Sequence, residues 1–496
     1  MTVPNEAPVT PTVRGQFPTR PAQVLPASRR ERAVALLAGV AIVVPPWLLG
    51  TWEIGEGEQA RTQWVTLALA LLAFAALFAP MFEFRAWPPS LAPAESFRRL
   101  ARFPVFWLGV AILAYGIIAV ENPWIALTSD GRSVWFEVLD HHAWLPRSIE
   151  TPFWEMNASR ALLMLAPAWL VACTLWVGVE TARSLRALLG AVAINGALLA
   201  LLGIAERLTG TRTMYWLFDV RPGIAAPAFF SSFIYAGHAG AWLMVAAGAA
   251  LGCLLRAVDR KSALSGCWGG VFLLTIVTAA LLHLALYLSV AALFVAGACV
   301  LVSPAHSRGP SWLRILLKLL MVVVLGGLAV ANLITSERSV DPRNPSIAVR
   351  YAIARTSAGM IRDEPWWGYG PGSYRFVAPY YLKRNPLFTA PGHADVLRYS
   401  ANYAHSDWVQ IPAEWGVAGA VLFAAVLAWW AGKVWRLRRA LPADSWCVIA
   451  PVALVLFAAA LDFPTYNPAV LVVLAGALAG AVKLGEIAGR ARTGTA

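Results

Sequence analysis

Apolar runs of about 17–25 residues, long enough to cross ~30 Å of hydrocarbon as a helix, recur from Ala33 to Val482. A segment inside a bilayer must satisfy its own backbone, so each such run is read as a helix. Hydrophobic residues make up 59% of the 496 positions and charged residues only 14%. A soluble protein of this length needs far more polar surface, with about 25% of residues charged. The sequence therefore predicts an all-α polytopic membrane protein.

About twelve spans are expected, starting near Ala33, Trp64, Phe103, Arg160, Leu185, Phe229, Gly269, Leu288, Ile315, Pro412, Trp446 and Pro468. The run Gly269–Val302 is too long for one span and is divided near Tyr287–Ser289. The Pro-rich, polar tail over 1–32 is expected to be disordered. A bundle over 33–334 carries spans one to nine. A long extracytoplasmic loop over 335–411 contains short helices, and spans ten to twelve occupy 412–484. A second tail covers 485–496. Span one follows Arg29–Arg32 without a small-residue cleavage pattern, so no cleaved signal is expected.

Charge divides the loops into two sets. With alternate loops assigned to alternate sides, one side holds 24 of the 40 basic residues and 8 of the 27 acidic ones. The other side keeps 16 and 19. The positive-inside rule places the first side, with both termini, in the cytoplasm. The net charge of +13 is thus a matter of membrane orientation, and no nucleic-acid partner is expected. The five cysteines all lie in or at the edge of apolar runs, which argues against a disulfide framework or a cysteine metal site.

Two outward-facing stretches hold residues able to do chemistry. Arg350–Tyr381 begins as an amphipathic helix with Arg350, Arg355 and Arg362. It ends at Asp363-Glu364-Pro365 and turns through Gly368, Gly370, Pro371 and Gly372. Tyr403–Gly419 carries His405, Asp407 and Glu414 at the mouth of span ten. One histidine and two carboxylates without further ligands make a poor zinc site, and no metal is assigned. Nine basic residues between Thr335 and Ile411 call for an anionic partner.

Four segments resemble the O-antigen ligase and polymerase superfamily of bacteria. They are Arg350-Tyr351 with Met360-Ile361-x-Asp363-x-Pro365-x-x-Gly368-x-Gly370, and Ala404-His405-x-Asp407-Trp408-x-Gln410-x-x-x-Glu414-x-Gly416. The others are Asp462-Phe463-x-x-x-x-Pro468-Ala469, and Phe233-Ile234-x-x-x-His238-x-Gly240-x-Trp242-Leu243. The likeness covers roughly residues 200–480. It implies a multi-pass enzyme of the bacterial inner membrane that takes a glycan from a polyprenyl-diphosphate donor. The acceptor is a hydroxyl of a lipid, glycan or protein on the outer face. The resemblance implies no cofactor.

Carried over, His405 is the general base, with Asp407 or Glu414 fixing its tautomer. Of the basic residues on the outer side, Arg350 and Arg221 are expected to meet the diphosphate, with Arg355 a further candidate, and His238 and Asp462 stand in segments that match the family. The chain departs from the family at two arginines expected to hold the diphosphate. Tyr235-Ala236-Gly237 and Ser289-Val290-Ala291 stand there instead. Ser406 also replaces the asparagine that follows the family's histidine. These departures leave open a second reading, a relative that binds lipid-linked glycan or an assembly partner without turnover. A secondary transporter ranks last, because no internal repeat is visible and the polar residues gather at one face.

Overall fold

A computed structural model describes residues 28–48, 56–79, 93–130, 133–151, 158–219, 229–282, 347–384, 403–460 and 462–493. Helices α1 (Arg29–Val43), α2 (Pro45–Leu48), α3 (Glu56–Phe78), α4 (Pro93–Ala101) and α5 (Pro104–Glu121) open the chain. Strands β1 (Pro123–Ser129), β2 (Val134–Val138) and β3 (Ser148–Glu150) follow, then α6 (Ala158–Gly178) and α7 (Ala182–Leu208). After β4 (Thr213–Met214) and β5 (Phe218–Asp219) come α8 (Ala236–Asp259) and α9 (Ser265–Leu281). The described chain resumes with α10 (Ile347–Asp363) and α11 (Tyr374–Leu382). It ends with α12 (Asp407–Leu437), α13 (Ala443–Ala458) and α14 (Pro468–Thr493).

Among the described residues, seven helical segments are long and apolar enough to cross a membrane. Shorter apolar helices lie at Val65–Phe78, Ser265–Ala279 and Ala443–Ala458. These segments match ten of the expected spans. The two expected from Leu288 and Ile315 lie outside the described residues. Several boundaries differ, among them that of α8, which begins at Ala236 rather than Phe229. α1 starts at Arg29, where Ser28 caps it by accepting from the Glu31 backbone N–H at 3.0 Å. α12 starts at Asp407 rather than Pro412. α14 runs past residue 484 to Thr493, so most of the expected second tail is helix.

Described loops that charge assigns to one side meet at one end of the bundle. Glu31 accepts from the Thr181 backbone N–H at 2.8 Å and the Thr181 hydroxyl at 2.6 Å. Arg186 pairs with Asp444 at 2.7 Å, and Glu486 holds both Lys433 and Lys483. A wrong parity in the helix order would have separated these partners by the length of a helix. Between the ends, small residues bring helices together. A Cβ on Gly196 of α7 would lie 2.3 Å from the Ala246 Cβ of α8. One on Gly248 of α8 would lie 2.2 Å from the Cys447 carbonyl oxygen of α13.

The opposite end carries a cap that is not wholly helical. β1 pairs antiparallel with β2 and parallel with β3. This small sheet corrects the all-helix expectation for the segment before α6. Leu127 and Ile149 of the sheet pack with Ile353, Met360, Tyr374 and Tyr381 of α10 and α11. The cap thus has a core of its own, apart from the bundle.

α12 joins cap to bundle, and it is broken at Gly416, where φ is 62° and ψ −175°. The break frees backbone groups that cost several kcal/mol each if left unpaired in a bilayer. The loop after α10 takes them up. The N–H groups of Tyr369 and Gly370 donate to the carbonyls of Ala413 and Glu414 at 3.0 and 2.8 Å. Those of Val417 and Ala418 donate to Pro365 and Trp366 at 2.7 and 3.3 Å. Gly416→Ala is expected to undock this loop. The positive φ costs an L-residue roughly 1–2 kcal/mol, and the new Cβ would sit 2.2 Å from the Trp366 carbonyl oxygen. The overlap is the larger effect, because that oxygen is backbone already held by Ala418. Limited proteolysis should then cut within 365–373 while α14 stays protected; an unchanged digest would refute the docking role.

Candidate functional site

At the cap end, three of the four segments singled out in the sequence meet at one ring, that of Phe463, and the fourth joins them through Arg350. Phe463 sits in the turn between α13 and α14. Tyr403 stacks on it at 4.3 Å between centroids, and Tyr235, just before α8, stacks at 5.0 Å. His405 and His238 approach it edge-on at 5.0 and 5.2 Å. Each such aromatic pair is worth about 0.5–1.5 kcal/mol beyond its buried area. Together they hold two imidazoles at the level where α8, α12 and α14 begin.

Polar contacts fix the rest. The Tyr235 hydroxyl donates to Asp462 Oδ1 at 3.1 Å and accepts from Arg350 Nη2 at 3.4 Å. Arg350 projects from α10 and is buried. His238 Nε2 lies 3.2 Å from the Phe463 carbonyl oxygen. Burial pushes the Asp462 carboxyl up to about 6, with Arg350 beside it pulling the other way. The His405 imidazole is held well below its ordinary value, first by burial, then by the positive charge of Arg350 and by the neighbouring His238 ring. It is therefore neutral at physiological pH. Its Nδ1 is buried and has no hydrogen-bond partner among the described residues. The backbone at His405 is left-handed, φ 47°, a conformation uncommon outside glycine and often found at working sites.

Seven of the expected site residues thus take clear places, and three of them, Asp407, Glu414 and Arg355, depart from the expectation. Arg350, His238 and Asp462 do surround His405. Asp407 and Glu414 do not orient the imidazole. Asp407 is the first residue of α12, and its Oδ2 accepts from the Thr465 N–H at 3.1 Å and hydroxyl at 2.8 Å. Its own N–H donates to the carbonyls of Ala459 and Asp462 at 2.8 and 3.0 Å. It ties the strap 403–407 to the turn that carries Phe463.

Glu414 is fully engaged elsewhere. Oε1 accepts from the Tyr374 N–H and the Gln410 amide at 3.2 and 3.1 Å. Oε2 accepts from the Gly372 N–H and the Tyr466 hydroxyl at 3.1 and 2.8 Å. A carboxylate with four donors is a structural clasp between cap and bundle. Arg355 also departs from expectation. It follows Arg350 by five residues, about 140° around a helix, and is exposed. Arg221 lies outside the described residues. Tyr235 and Phe463 went unassigned in the sequence. The one readable signal was that Tyr235 opens the stretch where the family carries an arginine.

Residues 224–424 match the family described as O-antigen ligase. Over that stretch, about two fifths of the chain, the protein is similar to the O-antigen ligase family. No curated protein matches it. The matched segment contains His238, Arg350 and His405, while Asp462 and Phe463 lie beyond its end. The likeness is to a family of the ligase and polymerase type that acts on lipid-linked glycans, and the apolar helices of this chain fit a multi-pass membrane protein.

Proposed function

We propose that the protein transfers a glycan from a polyprenyl diphosphate to a hydroxyl acceptor on the outer face of the bacterial inner membrane, with both termini in the cytoplasm. One observation carries this reading: a buried, neutral imidazole, His405, with an unpartnered Nδ1 beside a buried guanidinium, Arg350. An alcohol is a poor nucleophile until a base takes its proton. His405 Nδ1 accepts that proton as the acceptor oxygen bonds to the anomeric carbon. The bond from that carbon to the diphosphate oxygen breaks, and the electron pair leaves on the phosphate. Arg350 meets the developing charge, and guanidinium groups match phosphate bidentately. Asp462 and Tyr235 hold Arg350 in place. Asp407 and Glu414 position the strap and the cap.

The alternative, a relative that binds donor without turning it over, rests on the replaced arginines. Reconstitution in proteoliposomes with a polyprenyl-diphosphate oligosaccharide and a hydroxyl acceptor separates the two. Transfer of the oligosaccharide with release of polyprenyl diphosphate is the expected result. Saturable donor binding with no release over many hours would favour the alternative.

A further inference from the structure

At the end of the bundle opposite the cap, two helices bring arginines to one carboxylate. Arg186 of α7 donates through Nε to Asp444 of α13 at 2.7 Å. α8 packs against the same spot, since a Cβ on its Gly252 would lie 3.2 Å from the Asp444 carbonyl oxygen. Arg256 follows about one turn later on α8, where the charges of Arg186, Arg260 and Asp444 all act on it. Arg260 and Lys261 close that helix and are exposed.

These charges do not balance. Among the described residues, Asp444 is the one carboxylate that acts on Arg256, against two guanidiniums. Asp259 is exposed, so water and salt screen it. Arg256 is only partly exposed, and it makes no hydrogen bond or ion pair among the described residues. Arg186 uses Nε on Asp444, and its Nη groups remain as donors. Like charges held this close and partly out of water repel, and an anion between them relieves the repulsion. A path for a lipid tail starts at the same place. Arg186, Gly190, Ile194 and Leu198 form one i+4 row of α7. Ile194 and Leu198 are 50% and 49% exposed. The row is roughly 18 Å long at 1.5 Å per residue, against ~15 Å for the hydrocarbon of one leaflet. Trp268 of α9 comes within 3.6 Å of where a Gly190 Cβ would stand, one turn from Arg186. An indole favours this level, between headgroup and hydrocarbon. A free phosphate would meet the arginines alone, whereas a phospholipid meets the arginines and the row.

We propose that this corner binds an anionic phospholipid. Its phosphate lies between Arg186, Arg256 and Arg260, and an acyl chain follows the α7 row past Trp268. The inference stands apart from the transfer reading, since it concerns the other end of the bundle and neither His405 nor Arg350. Bound there, the lipid bridges α7 and α8, as the Arg186–Asp444 pair bridges α7 and α13.

Native mass spectrometry of the full chain in detergent tests this, with phosphatidylglycerol and phosphatidylcholine of the same acyl chains offered in equal amounts. Phosphatidylglycerol is expected to stay bound in preference to phosphatidylcholine, and to raise the melting temperature of the wild type. Arg256→Gln should weaken its binding about tenfold, the loss of one hydrogen bond to a charged group. The substitution strands no partner, so the variant should fold. Should it fail to fold, Arg260→Gln, which alters an exposed side chain, is expected to weaken binding in the same direction. Arg436→Gln removes an exposed charge from the last turn of α12, at the same end of the bundle, and should leave retention unchanged. Equal retention of the two lipids by the wild type would overturn the proposal. So would an equal loss in Arg436→Gln, which would leave only the general attraction of a basic surface. Inorganic phosphate is expected to compete poorly; complete displacement of the lipid by it would assign the arginines to a free anion and sink the lipid site.

Discussion

His405→Ala will lower glycan transfer by about 10²–10⁴-fold, the usual contribution of a positioned general base, and cells carrying it will accumulate lipid-linked glycan. The imidazole is 6% exposed, and its contacts among the described residues are ring contacts and charges rather than hydrogen bonds. Removing it leaves no donor or acceptor stranded, so the variant should fold and insert. The pH profile gives a second readout. A base works only when unprotonated, so rate is lost as pH falls through its folded pKa. That value lies well below 6.5 because burial, Arg350 and His238 all oppose a positive ring. The wild-type rate should therefore stay flat from about pH 8 down to about 6.5 and fall only below it. Unchanged glycan in the His405→Ala strain would end the catalytic assignment, and a limb above pH 7 would show that another group titrates.

The bundle was legible because hydrocarbon thickness sets a minimum run length, and the chain repeats that run. Charge divides the loops for a similar reason, and Glu31 meets Thr181 and Arg186 meets Asp444 at one end of the bundle. His405 was legible as part of a motif, but its partners were not. Along the chain the nearest carboxylate is Asp407, two residues on, so sequence proximity pairs it with the ring. In the fold, Asp407 opens a helix and turns to Thr465, while the charges that act on His405 come from residues 350 and 238. The break at Gly416 was hidden for a related reason. It lies where an apolar run begins, and its backbone is satisfied by residues 365–370, a distant segment with no pattern that announces the pairing. The sheet at 123–150 was missed because its strands are short and meet only through a cap core built with α10 and α11. Non-local hydrogen bonding is the common cause.

Arg350 carries the second large effect. Arg350→Gln should lower kcat/KM by roughly 10²–10³-fold, the range for removing one preorganised donor from a charge-developing oxygen. Arg350→Lys should recover only part of this, since an ammonium keeps the charge but loses the planar fork. A merely structural arginine would also lose activity when replaced, so rate alone does not settle its role. The titration of its neighbour does. After burial, Arg350 does most to hold His405 low, and it acts against burial at Asp462. Its removal makes a protonated imidazole less costly, which raises the His405 pKa. The acid limb of the Arg350→Gln profile should therefore move to higher pH, and Arg350→Lys should leave it near the wild-type position. Asp462, already raised to about 6, loses its cation in the same variant and moves further up, so at neutral pH it passes from charged toward neutral. The Tyr235 hydroxyl then keeps a partner but no longer bridges two charges. A loss of rate in Arg350→Gln with no displacement of the acid limb would place the guanidinium away from His405 in the working enzyme, and the phosphate-binding role would fall with it.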